Sequence, residues 1–167
     1  VTNVYPMHIE FFPNFEGIAE AKAEIFKSLK QGGTAIINED TNFASLLEKR
    51  ALENGAKVVR FGKNDHPDVE LKLQDNGEHN YYNAWCVLTL IKELGLDVKA
   101  AAEHLSGFGA LPGRGAKYQL KLPQGGTYTL IDDSYSGQPE AMKIAIETLS
   151  SQPTNRRKVV VLGKMAE

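Results

Sequence analysis

The sequence predicts an α/β fold built on a parallel sheet with crossover helices, and three observations carry that prediction. Residues 34–61 run apolar strand, helix-period segment, apolar strand, with connections of only a few residues. Residues 127–146 (TYTLIDDSYSGQPEAMKIAI) read as strand, acidic turn and helix. Residues 157–162 (RKVVVL) form the near-continuous apolar run of a strand covered on both faces.

The elements follow in chain order. Residues 1–5 read as the end of a strand, and His8 and Glu10 fall in a loop with Pro13. Residues 16–30 have helical spacing, with a stripe of Ile18, Ala21, Ile25 and Leu29. Lys22 projects close to that stripe. A lysine there either snorkels, its stem covering apolar surface, or is paired or neutralised. Thr34–Asn38 is a buried-type strand ending in Glu39-Asp40, and Asp40 is placed to cap a helix over 41–53. That helix presents Phe43, Leu46, Leu47 and Ala51, and Asn54-Gly55 closes it. Lys57–Phe61 is the next strand, and residues 69–73 alternate like an edge strand.

Residues 78–94 predict a long helix with the stripe Ala84, Val87, Leu88 and Ile91. Asn80 and Asn83, three apart, share a face at its start. Asp97 caps a shorter helix over 98–105. Residues 106–115 (SGFGALPGRG) carry four glycines and a proline, which marks a domain boundary and divides the chain at 1–109 and 110–167. Residues 118–122 and 128–131 then form a hairpin around Pro123-Gln124-Gly125-Gly126. Pro139 sits in the first turn of the last helix, where its missing N–H costs nothing. Asp132-Asp133 stands at the carboxyl end of a strand, where open α/β sheets bind ligands. Two readings stay open for the pair: a solvated capping turn, or a contact with a ribose, a metal or a cation.

Composition narrows the function. The chain has 167 residues and a formal net charge of −2, which gives no reason to expect nucleic acid or an anionic membrane as a partner. No apolar run approaches the roughly 20 residues that span a bilayer, and the start lacks the pattern of a signal peptide. The single Cys86 excludes an internal disulfide and fits a reducing, cytoplasmic setting. Its apolar helical surroundings make it a small buried hydrophobe rather than a nucleophile. The first residue is not Met and the chain stops at Glu167, which suggests a fragment. A phosphate-cradling G-x-x-x-x-G-K-[ST] loop is absent: neither Gly62-Lys63 nor Gly163-Lys164 has the required glycine or a following Ser or Thr. No paired-cysteine metal site is present either. Chemistry then falls to scattered residues: His8, Lys22, Asn80, Asn83, Arg114 and Asp133. His66, His104 and Arg156-Arg157 read as surface residues, and His79 as a helix-start residue.

The segments M-H-I-E, A-K-A-E-I-F, I-I-N-E-D, E-H-N-Y-Y-N-A, P-G-R-G, I-D-D-S-Y-x-x-x-P-E-A-M and V-V-V-L-G-x-M-A-E follow one another in the order and spacing of the Mur ligases. The sequence resembles that family over nearly its whole length, and most resembles the member that adds D-alanyl-D-alanine to a UDP-muramyl tripeptide. The resemblance implies the later part of a central ATPase domain followed by the start of a Rossmann-like C-terminal domain. A UDP-binding domain and the P-loop would precede Val1, so the chain alone is expected to be inactive and to bind little nucleotide. It implies ATP and Mg2+ as cofactors and a monomer in the cytoplasm. The chemistry would be phosphorylation of a peptide carboxylate, then attack by an amine.

By the same resemblance His8 is a magnesium ligand and Lys22 becomes a carbamate, an oxygen donor suited to that ion. Asn80 and Asn83 contact adenine, Arg114 reaches the ATP phosphates when the domains close, Asp133 meets the ribose side, and Tyr135 lines the nucleotide or dipeptide site. The chain departs from the family pattern at Ser136-Gly137-Gln138 and at Lys164. The alternatives are a sibling Mur or folylpolyglutamate-type ligase with another amino acid, or a non-catalytic nucleotide-binding or scaffold module.

Overall fold

The computed structural model describes residues 1–74, 77–135 and 137–164. Expectations that fall on Ser136 and on the Met-Ala-Glu ending lie outside the described residues. The chain divides into two compact units, Val1–Phe108 and Gly109–Glu167.

In the first unit, β1 (Thr34–Asn38) and β2 (Lys57–Phe61) pair in parallel, with Thr34 opposite Lys57 and Asn38 opposite Phe61. Ile36, Ile37, Val58 and Val59 supply the β-branched content that suits a pleated surface. Helix α2 (Ala44–Glu53) makes the crossover between them. The expected strand at 1–5 reduces to one rung. The Val1 amine donates to the Ile36 carbonyl at 2.7 Å, and the Asn38 N–H to the Val1 carbonyl at 3.1 Å. That bracketing of Ile37 is the parallel pattern.

One apolar cluster holds this unit together. It joins Val4, Ala35 and Ile37 to Leu47 and Ala51 of α2, and to Ile18, Ala19 and Ala23 of α1 (Phe15–Ala23). An Arg50 guanidinium fork grips Glu20 at 2.8 and 2.6 Å across α1 and α2. Helix α3 (Glu78–Glu93) also packs on the sheet and buries Ala84, Leu88 and Thr89. Helix α4 (Val98–Ser106) starts on Asp97, whose carboxylate accepts from the N–H groups of Lys99 and Ala100.

Four expectations are corrected. The helix over 16–30 stops at Ala23 and tightens into a 3-10 turn, Glu24–Ser28. The tighter turn advances each residue by roughly 120° instead of 100°, so Phe26 is buried and Ile25 is 64% exposed. Asp40 does not cap α2. The residue before that helix is Phe43, at φ 63°, and no side chain caps it. Residues 69–73 form no strand, because among the described residues no partner strand pairs with them. Residues 157–162 are likewise not a buried strand: the run is unpaired among the described residues and Val161 is 92% exposed.

The second unit contains the hairpin β3 (Ala116–Lys121) and β4 (Thr127–Asp132), antiparallel, with Ala116 opposite Asp132. Helix α5 (Pro139–Ser151) follows, with Pro139 in its first turn. Among the described residues, no helix is long and apolar enough to cross a membrane.

Candidate functional site

Both parallel strands of the first unit end at the same edge, and the chain leaves each through a short polar turn. Open α/β sheets bind their ligands at this edge. The Glu39 N–H donates to the Phe61 carbonyl at 2.9 Å, so the two exits stay side by side one residue past the ladder. Gly62 allows that approach. A Cβ at this position would stand 2.6 Å from Glu39 Cγ and 2.7 Å from Asp40 Oδ2. Asn38, 3% exposed, fastens the first exit: its amide donates to the Thr2 carbonyl at 2.8 Å and its side-chain oxygen accepts from the Asp40 N–H at 2.9 Å.

Asp40 is the knot of this edge. Its Oδ2 accepts from the Lys63 N–H at 2.7 Å and from the Tyr82 hydroxyl at 2.9 Å. The carboxylate therefore joins the end of β1, the turn after β2 and the first turns of α3. Burial, first, and the Asp40 carboxylate, second, push the Tyr82 phenol up to about 12. Around it, Trp85 takes Tyr82 edge-on at 5.1 Å and His66 face to face at 4.5 Å, with ring planes 1° apart. The expected adenine contacts lie on the same part of α3: Asn80 half-buried, Asn83 exposed. Sequence reasoning singled out these asparagines but missed Asp40, Tyr82 and Trp85. The available signal was an acid two residues past a strand, facing a glycine immediately after its partner strand.

His8 and Lys22 have a different setting. His8 sits at φ 54° ahead of a short 3-10 turn, exposed, with its ring tilted against Phe11 at 6.4 Å. Lys22 is half-buried. Among the described residues, no three of His, Cys, Asp and Glu converge to hold a metal ion. His8 alone is thus one imidazole donor, and the Lys22 amine becomes an anionic oxygen donor only as a carbamate. Burial raises the Cys86 thiol, which suits a packing residue rather than a nucleophile.

In the second unit the structure brings Arg114 and Tyr135 together, with the guanidinium carbon 4.2 Å from the ring centroid. The loop is held by Asp132, not by its neighbour. The Asp132 carboxylate accepts from the Gly113 N–H at 3.1 Å and from the Ser134 hydroxyl at 2.6 Å. The Ser134 bonds, hydroxyl first, hold that carboxyl below the usual range, with the Gly113 bond pulling the same way. The Tyr135 N–H donates to the Gly113 carbonyl at 3.0 Å. Gly113 has φ 74°, and a Cβ there would meet the Tyr135 Cβ at 3.1 Å. With Asp132 committed to the loop, Asp133 is left exposed. A cavity of about 450 Å³ elsewhere in the first unit is lined by Asp68, Glu70 and Glu103 together with Lys72 and Lys99, and by none of the expected site residues.

Comparison with known proteins adds to this geometry. Residues 1–79 match the family described as Mur ligase middle domain. The whole chain aligns at 31% identity with 40% of the UDP-N-acetylmuramoyl-tripeptide--D-alanyl-D-alanine ligase of Escherichia coli (strain K12). It aligns at 28% with 39% of the Bacillus subtilis (strain 168) protein of the same name. The chain thus spans about two fifths of the length of these curated relatives. Among solved structures, MurF from Acinetobacter baumannii superposes over 90% of this chain and 36% of its own, with a TM-score of 0.76 at 24% identity, which speaks for the fold.

Proposed function

The chain belongs to the Mur ligase family, and from that premise we propose that it is the nucleotide-handling part of an ATP-dependent ligase that joins D-alanyl-D-alanine to a UDP-muramyl tripeptide. The observation that carries the substrate assignment is the alignment of the entire chain, at 31% identity, with a ligase of that name. The knot at the sheet's carboxyl edge supports the nucleotide part.

The reaction needs two steps. A peptide carboxylate oxygen attacks the γ-phosphorus and ADP leaves, which gives an acyl phosphate. The dipeptide amine then attacks the acyl carbon, phosphate leaves, and the nitrogen loses a proton. Phosphoryl transfer of this kind depends on positioning and on charge neutralisation. Asn80 and Asn83 each offer an amide donor and an acceptor to a purine edge. Arg114 supplies a guanidinium for phosphate oxygens, with Tyr135 stacked on it to limit its freedom. Asp133, exposed at the strand end, accepts ribose hydroxyls. Magnesium bound with the nucleotide would neutralise phosphate charge, with His8 and a carbamylated Lys22 as its donors from this chain. The substrates are polar and water-soluble, in keeping with a monomeric enzyme of the cytoplasm.

The test is ADP release by the protein at its relatives' full length. Release that requires both the tripeptide acceptor and D-alanyl-D-alanine supports the assignment. Release driven instead by glutamate or a diamino acid would move the chain to a sibling ligase, and no release with any amine would leave a non-catalytic nucleotide-binding module.

A further inference from the structure

Helix α3 is anchored to the sheet edge by one hydroxyl. The Tyr82 hydroxyl donates to Asp40 Oδ2 at 2.9 Å, and the same oxygen accepts the Lys63 N–H at 2.7 Å. Successive residues on a helix are turned by roughly 100°, so Tyr82 lies about 100° from Asn83 and about 160° from Asn80. The Tyr82 face is tied down while the face with the two asparagines stays accessible. Trp85 lies one turn further along, edge-on to Tyr82 at 5.1 Å and flat on His66 of the turn after β2 at 4.5 Å. Two contacts of α3, Tyr82 on Asp40 and Trp85 on His66, thus hold its rotation against the two strand exits, and the Lys63 N–H fixes the Asp40 carboxylate between them.

We propose that Asp40 and Tyr82 are positioning residues for the nucleotide: their hydrogen bond sets the rotation of α3 and thereby aims Asn80 and Asn83 at the base. This rests on the reading of those asparagines as ATP contacts. Neither Asp40 nor Tyr82 needs to touch the ligand. Asp40 acts on two loops and a helix at once because Gly62 brings the strand exits within reach of a single carboxylate. About ten degrees of helix rotation would shift a side-chain amide roughly 6 Å from the axis by about an ångström, enough to spoil a paired hydrogen bond.

The experiment is steady-state kinetics on the full-length protein with Tyr82→Phe, Asp40→Asn and the double variant, each checked by thermal unfolding. Tyr82→Phe keeps the ring and removes only the donor. The expected result is a KM for ATP raised about tenfold, with kcat within about twofold and the KM for D-alanyl-D-alanine unchanged. Asp40→Asn, which keeps an acceptor oxygen, should show a smaller rise. The double variant should match the worse single variant rather than multiply the two, since both act on the same bond. Trp85 is the only tryptophan of these 167 residues, and the part of the full-length emission that Trp85→Phe removes reports the same rotation and should shift in Tyr82→Phe. A KM for ATP unchanged in Tyr82→Phe, where the wild-type enzyme turns over, would overturn the positioning role and leave the ligase assignment standing. Equal losses in kcat and melting temperature with no change in that KM would show a bond that only stabilises the fold. A wild-type protein without ATP turnover would remove the ligase reading and this proposal with it.

Discussion

Removing the buried amide of Asn38 should destabilise the first unit and loosen the carboxyl edge of its sheet. Asn38 is 3% exposed at the last position of β1. Its side chain makes two hydrogen bonds, an amide donated to the Thr2 carbonyl at 2.8 Å and an oxygen accepting the Asp40 N–H at 2.9 Å. Asn38→Ala deletes both partners' bonds and replaces neither. An unsatisfied buried group costs about 1–3 kcal/mol, and both bonds are only partly buried, which places each near the lower half of that range. The sum is about 2–4 kcal/mol. For a unit of this size, 1 kcal/mol moves the midpoint by roughly 4–8 °C, so Tm should fall by roughly 8–30 °C. Circular dichroism melts of wild type, Asn38→Ala and Asn64→Ala would check this, since exposed Asn64 should change stability by less than about 0.5 kcal/mol. If Asn38→Ala melts with Asn64→Ala, within about 2 °C of wild type, the buried amide carries no stability and the reasoning fails.

Three further outcomes follow from the same geometry. Gly62→Ala should break the approach of the strand exits, because its Cβ would sit 2.6 Å from Glu39 Cγ. Far-UV dichroism should stay near wild type while the Trp85 emission shifts; an unshifted spectrum would show that the turn absorbs the methyl. The Tyr82 phenol is raised to about 12, so its contribution is complete below the free-tyrosine value of about 10 and is lost as pH rises toward 12. Absorbance titration should show one tyrosine ionising late, and Tyr82→Phe should abolish that step. The Arg50 hydrogen bond is the main cause that holds Glu20 below the usual carboxylate range. Its contribution is therefore present above the unfolded value and lost as pH falls. Glu20→Gln should flatten the decline in the urea midpoint below about pH 5, and an unaltered slope would show that the pair is screened by solvent.

Much of the fold was legible because local pattern and final structure agree. The bounds Thr34–Asn38 and Lys57–Phe61 follow from short β-branched runs closed by polar turns, and Asp97 caps the helix it precedes. The failures share one cause, an interaction distant in sequence. Asp40 has the position of a cap, but its carboxylate is taken by Lys63 and Tyr82, 23 and 42 residues away. Val159, Val160 and Val161 have the composition of a core strand, yet composition alone supplies no partner strand. Asp132 and Asp133 are chemically identical in sequence, and only the Gly113 and Ser134 bonds separate the one that holds the loop from the one left exposed. The asparagines of α3 could be picked out by spacing, but the tyrosine that orients them could not.

The claim on which the functional account stands is activation of a carboxylate by the γ-phosphate of ATP. Oxygen-18 in the acceptor's carboxylate tests it most directly, with the full-length protein, ATP, magnesium and D-alanyl-D-alanine. The account predicts one labelled oxygen in the inorganic phosphate, ADP as the other product, and a new amide bond. Phosphate free of label, or label found in AMP, would contradict it.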